Sequence, residues 1–184
     1  MKTNWIYPVI AACLLVFVQV APAQVGSSTV DSLVSSGNFV LEPNQLSGFN
    51  VNPVMNFVML NGDNLIFQTS SPVDRTRANM PYTDKTVKGK ITSKKISKDK
   101  KGNSLIKLGV MTEIGIGFRV DLRISPYGNA SASVTQNNAA GRLDYSGRIV
   151  ALDESSVFVG PESFDLTGFP WYYNFYMEAM YGRN

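Results

Sequence analysis

The chain has 184 residues, no histidine and one cysteine, with 44% hydrophobic residues, 17% charged residues and a formal net charge of +3. That balance describes a globular chain of one ordinary domain, not charged enough for disorder and not apolar enough for a multi-span membrane protein. The absent histidines exclude Ser-His-Asp and Cys-His catalysis, and with them His-liganded zinc, copper or non-haem iron.

Residues 1–23 read as an export signal. Lys2 is the only charge before Asp31, Trp5 to Val20 is almost wholly apolar, and Ala21-Pro22-Ala23 sets small residues ahead of a cut between Ala23 and Gln24. A transmembrane helix needs about 20 apolar residues, and this run is shorter. A competing reading is a lipoprotein, since Ile10-Ala11-Ala12-Cys13 matches the loose pattern of an aliphatic residue, two small residues and Cys. The apolar run continues past Cys13 through Leu14 to Val18, whereas a lipidated cysteine should end it. Cleavage after Ala23 leaves a mature chain in the periplasm or outer envelope with neither Cys nor His.

The mature chain divides into a β-domain over 24–163 and an aromatic extension over 164–184. Thr29 to Gly37 reads as a short helix, with Thr29 as N-cap and Gly37 just past its end. From Asn38 the hydrophobic period changes to two. Strands are expected over 38–42, 54–60, 64–70, 85–98, 104–112, 116–125, 130–136 and 142–150, separated by turns such as Asn61-Gly62-Asp63, Lys101-Gly102-Asn103 and Pro126-Tyr127-Gly128-Asn129. About eight strands with short connections imply an all-β antiparallel meander, closed as a lipocalin-like barrel or folded as a two-sheet sandwich.

The stretch 105–124 specifies its own register. Its even positions run from Ile106 and Leu108 to Leu122 and Ile124, and its odd positions carry Lys107, Glu113, Arg119, Asp121 and Arg123. Twenty residues are too many for one strand. A three-residue loop at Glu113-Ile114-Gly115 keeps both apolar sets on one face and pairs Val110 with Phe118 and Leu108 with Val120. Strand 142–150 has the opposite parity, with Leu143, Tyr145, Gly147 and Ile149 inward.

The extension is rich in aromatics. Trp171, Tyr172, Phe175 and Tyr176 fall on one face of a helix that Pro170 could open. They are either a cover packed on the β-domain or an exposed ligand or partner surface. The second candidate surface is a lysine run, in which Lys94, Lys95, Lys98, Lys100 and Lys101 form the densest part and Asp99 is the single acid. It is either an anion-binding edge or a device that keeps a long hairpin from pairing with another sheet. Nucleic acid is not an expected partner, because no aromatics interleave with these lysines.

No catalytic constellation emerges. Ser97-x-x-Lys100 and Ser104-x-x-Lys107 copy an acyl-enzyme spacing that works on a helix, whereas on a strand residues three apart face opposite sides. Asp121 and Asp144 sit among basic neighbours on outward faces. No calcium loop or nucleotide loop is present, so neither cofactor nor metal is expected.

Four segments resemble an uncharacterised family of small exported all-β proteins from Bacteroides-type bacteria, a domain of unknown function. They are Val34-Ser-Ser-Gly37-Asn-Phe39-Val, Met59-Leu-Asn-Gly62-Asp63, Leu143-Asp-Tyr145-Ser-Gly147-Arg-Ile149 and Leu152-Asp-Glu154-Ser-Ser-Val157-Phe-Val-Gly160. The resemblance spans roughly residues 31–163 and implies export and β-architecture without an activity. In place of the family's Leu-Pro-aromatic-aromatic-Gly segment this chain has Gln68 to Arg77. The functional expectation is non-enzymatic binding of a hydrophobic or glycan-like small ligand. The alternative is a protein interaction or envelope-assembly module that uses the tail and the lysine hairpin.

Overall fold

The computed structural model describes residues 27–70, 85–138 and 141–164. Among these residues one helix, α1 (Ser27–Ser36), precedes nine strands: β1 (Asn38–Leu46), β2 (Phe49–Asn50), β3 (Phe57–Asn61), β4 (Asn64–Thr69), β5 (Lys85–Lys98), β6 (Ser104–Met111), β7 (Gly117–Ile124), β8 (Asn129–Gln136) and β9 (Arg142–Ala151). β1 pairs antiparallel with β3, each strand from β3 to β8 pairs antiparallel with the next, and β9 returns to pair with β1 over Phe39–Leu46, so the meander closes into an eight-stranded barrel with β2 as a short appendage. Closure satisfies backbone groups that an open sheet would leave at its edges. It also decides between the barrel and sandwich readings.

The alternating pattern translates directly into an inside and an outside. Phe39, Leu41, Leu60, Leu65, Phe67, Leu108, Phe118, Val120, Val134, Leu143, Tyr145 and Ile149 are buried in a single core cluster. Eight strands enclose an interior just wide enough for side chains to fill. Phe67 and Phe118 meet edge to face across it, with ring centroids 5.0 Å apart. Val30 and Val34 of α1 join the same cluster, so the helix closes the end of the barrel where β1 begins. Gly37 ends the helix at φ +68°, its N–H donating to the Leu33 carbonyl, as the sequence pattern anticipates. The helix begins at Ser27 rather than after a cap at Thr29.

The β6–β7 register is the one the apolar alternation demands: Val110 faces Phe118 and Leu108 faces Val120. Gly115 takes the left-handed conformation at φ +79°, and the Thr112 N–H donates to the Ile116 carbonyl across the three-residue loop.

Three features of the strands also depart from the sequence reading. β1 runs on through Pro43 to Leu46, because a bulge between Pro43 and Gln45 accommodates a residue with no N–H to donate. β2 was not expected; Ser47 and Gly48, both at positive φ, turn β1 back onto it in a two-residue hairpin loop. Residues 54–56 belong to a turn in which the Met55 and Asn56 N–H groups donate to the Asn52 carbonyl, so β3 starts at Phe57.

Candidate functional site

The bulge in β1 shapes the outer wall of the barrel. Glu42 and Pro43 press against Gly147 of β9 so closely that a β-carbon on Gly147 would overlap the Glu42 carbonyl oxygen and lie 2.5 Å from Pro43 Cα. A glycine is required there because two backbones approach where a side chain would stand. Beside this contact lies an open concavity of about 650 Å³. Glu42, Arg123, Asn129, Ser131, Ser146 and Arg148 are among its hydrogen-bonding groups, and Pro43, Pro53 and Ala130 among its apolar ones.

Glu42 and Arg123 are each held by a hydrogen bond, Arg148 is exposed beside Glu42, and all three keep unused bonding capacity. The Glu42 carboxylate accepts the Ser155 hydroxyl at 2.8 Å, and Arg148 approaches its other oxygen at 3.8 Å. Arg123 reaches Asp99 at 2.8 Å from the far side. A guanidinium has five N–H donors, so both arginines retain donors for a ligand. Asp99 is held below the usual carboxylate range, first by the Asn103 side-chain amide and then by the backbone N–H groups of Asn103 and Lys101, with Arg123 adding its charge.

The lysine run does not form one patch. Lys94 and Lys98 fall on the inner side of β5, opposite the buried Leu108 and Ser104, with Ile96 between them. Lys98 turns to α1 and pairs with Asp31 at 2.8 Å. Lys95 lies on the other side, directly opposite Lys107 of β6, while Lys100 and Lys101 occupy the turn that joins the two strands. Strand alternation has divided what the sequence displays as a cluster. The same alternation separates Ser104, buried, from Lys107, exposed.

The outward carboxylates are neutralised locally, Asp144 by Arg142 at 2.8 Å and Asp121 by Arg119 at 3.6 Å. Glu113 is exposed in the β6–β7 loop. The aromatic candidates Trp171, Tyr172, Phe175 and Tyr176 lie outside the described residues, as do the cleavage residues Ala23 and Gln24 and the 71–77 part of the segment that departs from the family pattern.

Sequence reasoning missed a polar junction on the outside of β4 and β5. Gln68 is buried, its amide donates to the Met55 and Phe158 carbonyls at 3.0 Å, and its oxygen accepts from the Thr86 hydroxyl and the Gly160 N–H at 2.8 Å. Ser163 adds a pair of bonds to the Thr86 backbone. The segment after β9 is thereby fastened across the wall. A glutamine directly after the apolar Leu65-Ile66-Phe67 run of β4 was the available signal.

A family model described as "Domain of unknown function (DUF4251)" matches residues 23–149. This chain belongs to the DUF4251 family. Its fold is similar to the crystal structure of a DUF4251 family protein from Bacteroides eggerthii, at a TM-score of 0.61 and 25% identity over 76% of this chain and 97% of the other. No curated protein matches. The segments that carried the resemblance have architectural jobs. Gly37 stops the helix, the Asn38 side chain accepts the Gly62 N–H to join the start of β1 to the β3–β4 turn, Phe39 and Tyr145 are buried, and Gly147 admits β1. Among the described residues no helix is long and apolar enough to cross a membrane.

Proposed function

We propose that this DUF4251 chain is an exported, non-enzymatic binding protein of the bacterial envelope that takes a polar, glycan-like ligand on the outer wall of its barrel. The contrast between the barrel's two surfaces carries the reading. The interior is packed with Phe, Leu, Val and Tyr side chains that have no solvent exposure, whereas the concavity of about 650 Å³ beside the β1 bulge sets amides, hydroxyls, two guanidinium groups and the Glu42 carboxylate among the apolar surfaces of Pro43, Pro53 and Ala130. Sugar hydroxyls pair with Asn and Ser groups, and the carboxylate of an acidic sugar pairs with arginine. A hydrophobic ligand in the lumen would instead have to displace core side chains, at a cost of several kcal/mol.

Export is supported by Lys2, the apolar run to Val20 and the small residues before Gln24. The family match also begins at residue 23, where the cleavage reading draws its boundary. The absence of histidine throughout and of cysteine after residue 13 supports a non-enzymatic role without a cofactor.

The test is native mass spectrometry of the protein purified from its own host, combined with an NMR titration using uronic-acid and peptidoglycan-derived oligosaccharides. The expected result is a retained or added saccharide that shifts Ser131, Ser146 and Arg148, with Arg148→Ala weakening it about tenfold, the scale of one charge-assisted hydrogen bond. An empty protein that no saccharide perturbs, or a ligand that shifts lumen residues such as Phe118 and Tyr145, would overturn the proposal.

A further inference from the structure

The barrel leaves one long stretch of backbone open. β5 has 14 residues, but β4 covers only Lys85–Lys90 of its first edge. The last backbone bond on that edge is from the Ile91 N–H to the Asp63 carbonyl at 2.8 Å. The other edge pairs with β6 as far as Lys98. From Thr92 to Lys98, therefore, one edge of β5 presents backbone groups with no strand beside them among the described residues, and every residue in that stretch is exposed. Such an edge is a template for another strand.

The charges on this edge restrict what can pair with it. Lys94 and Lys95 have no ion pair among the described residues, and Lys95 stands opposite Lys107, a like-charge pair that costs stability. Among the described residues Lys98 is held by Asp31 alone, both side chains being more than half exposed, and such a pair is worth at most about 1 kcal/mol. A second copy of β5 would bring lysines against lysines. An extended segment carrying Asp or Glu on alternate or neighbouring positions would relieve Lys94 and Lys95 and compete with Asp31 for Lys98.

We propose that the free edge of β5 from Thr92 to Lys98 binds an acidic, extended segment of a partner protein by strand addition. The site goes beyond the saccharide reading and shares no residue with the wall concavity, so either can fail without the other. The lysines then have two linked effects: they refuse self-association and they select the partner. Backbone bonds fix the added strand, and Lys94, Lys95 and Lys98 read its charge.

The test uses the full mature chain and a synthetic peptide of alternating Glu and Val capped by Thr. Two control peptides carry N-methyl groups on one or the other alternate set of amides, because a strand presents only one set to its neighbour. The expected result is slowed hydrogen exchange at alternate amides between Thr92 and Lys98 with the parent peptide, retained by one methylated control and lost with the other. Lys95→Glu, which also gives Lys107 an opposite charge, should weaken binding about tenfold, as expected for reversing one contact charge. Equal binding of both methylated peptides would reduce the site to non-specific charge and overturn the inference. So would an absence of protection, unchanged affinity of Lys95→Glu, or equal protection by anionic lipid vesicles.

Discussion

Tyr145 shows how one side chain can serve the core and a strand junction together. Its ring is fully buried, and its hydroxyl crosses the lumen to donate to the Gln68 carbonyl at 3.2 Å. Burial raises its pKa well above the ordinary tyrosine range. Ionisation is easier in the unfolded chain, so its contribution is intact below about pH 10 and is lost as pH rises above that value. Tyr145→Phe keeps the packing but removes the hydroxyl. We expect a loss of about 1 kcal/mol in urea denaturation at pH 7 and a weaker alkaline decline than in the parent protein. Gly147 gives a sharper case, because the atoms that an added β-carbon would meet are backbone atoms of Glu42 and Pro43, which cannot rotate away. Gly147→Ala should cost about 3 kcal/mol, the upper range for overpacking, and should shift the amide resonances of β1 around the bulge. An unchanged denaturation midpoint would show that β1 can retreat from β9.

At the scale of elements, the β5–β6 hairpin behaves as a unit organised from its tip. Asp99 accepts from the Lys101 and Asn103 N–H groups, from the Asn103 amide and from Arg123 of β7, so one carboxylate fixes both the turn and the neighbouring strand. Its pKa is depressed in the fold. The unfolded chain therefore takes up the proton first as pH falls, and the stabilisation present above about pH 4 is lost as pH drops through the lower folded value. The stability difference between the parent and Asp99→Asn should be largest at neutral pH and shrink below about pH 4 in thermal unfolding at stepped pH. A pH-independent difference would mean that the carboxylate charge contributes nothing. The register of the next hairpin, β6–β7, was legible in the alternation of residues 105–124, since a slip by one residue would expose Ile106, Leu108, Val120 and Leu122 together. The division of the β5 lysines between two faces was implicit in the period of two along β5 itself. How much of the β5 edge stays open was not, because it depends on β4 starting at Asn64, opposite Lys90, and thus on where the tip of a different hairpin falls.

Across the whole molecule, the segment after β9 is secured through Gln68, whose side chain uses both donors and accepts two bonds. Replacing it by leucine would leave the Met55 and Phe158 carbonyls and the Gly160 N–H without that partner. Gln68→Leu should destabilise the fold by roughly 2–3 kcal/mol, and limited proteolysis should then cut within 153–164 before the barrel itself. Simultaneous loss of barrel and segment would show instead that Gln68 supports the core. The amino-acid sequence by itself determined the strand order, the inward and outward faces, the turn glycines and the exclusion of histidine-dependent chemistry. Those follow from local sterics and from a period of two, which neighbouring residues carry completely. Only the tertiary structure decided that the meander closes through β1 and β9, that the lumen is filled, that a concavity opens beside Pro43, and that part of β5 remains unpaired. Each depends on residues far apart in the chain meeting at one place, such as Glu42 with Gly147 or Gln68 with Phe158, and no local pattern records that distance.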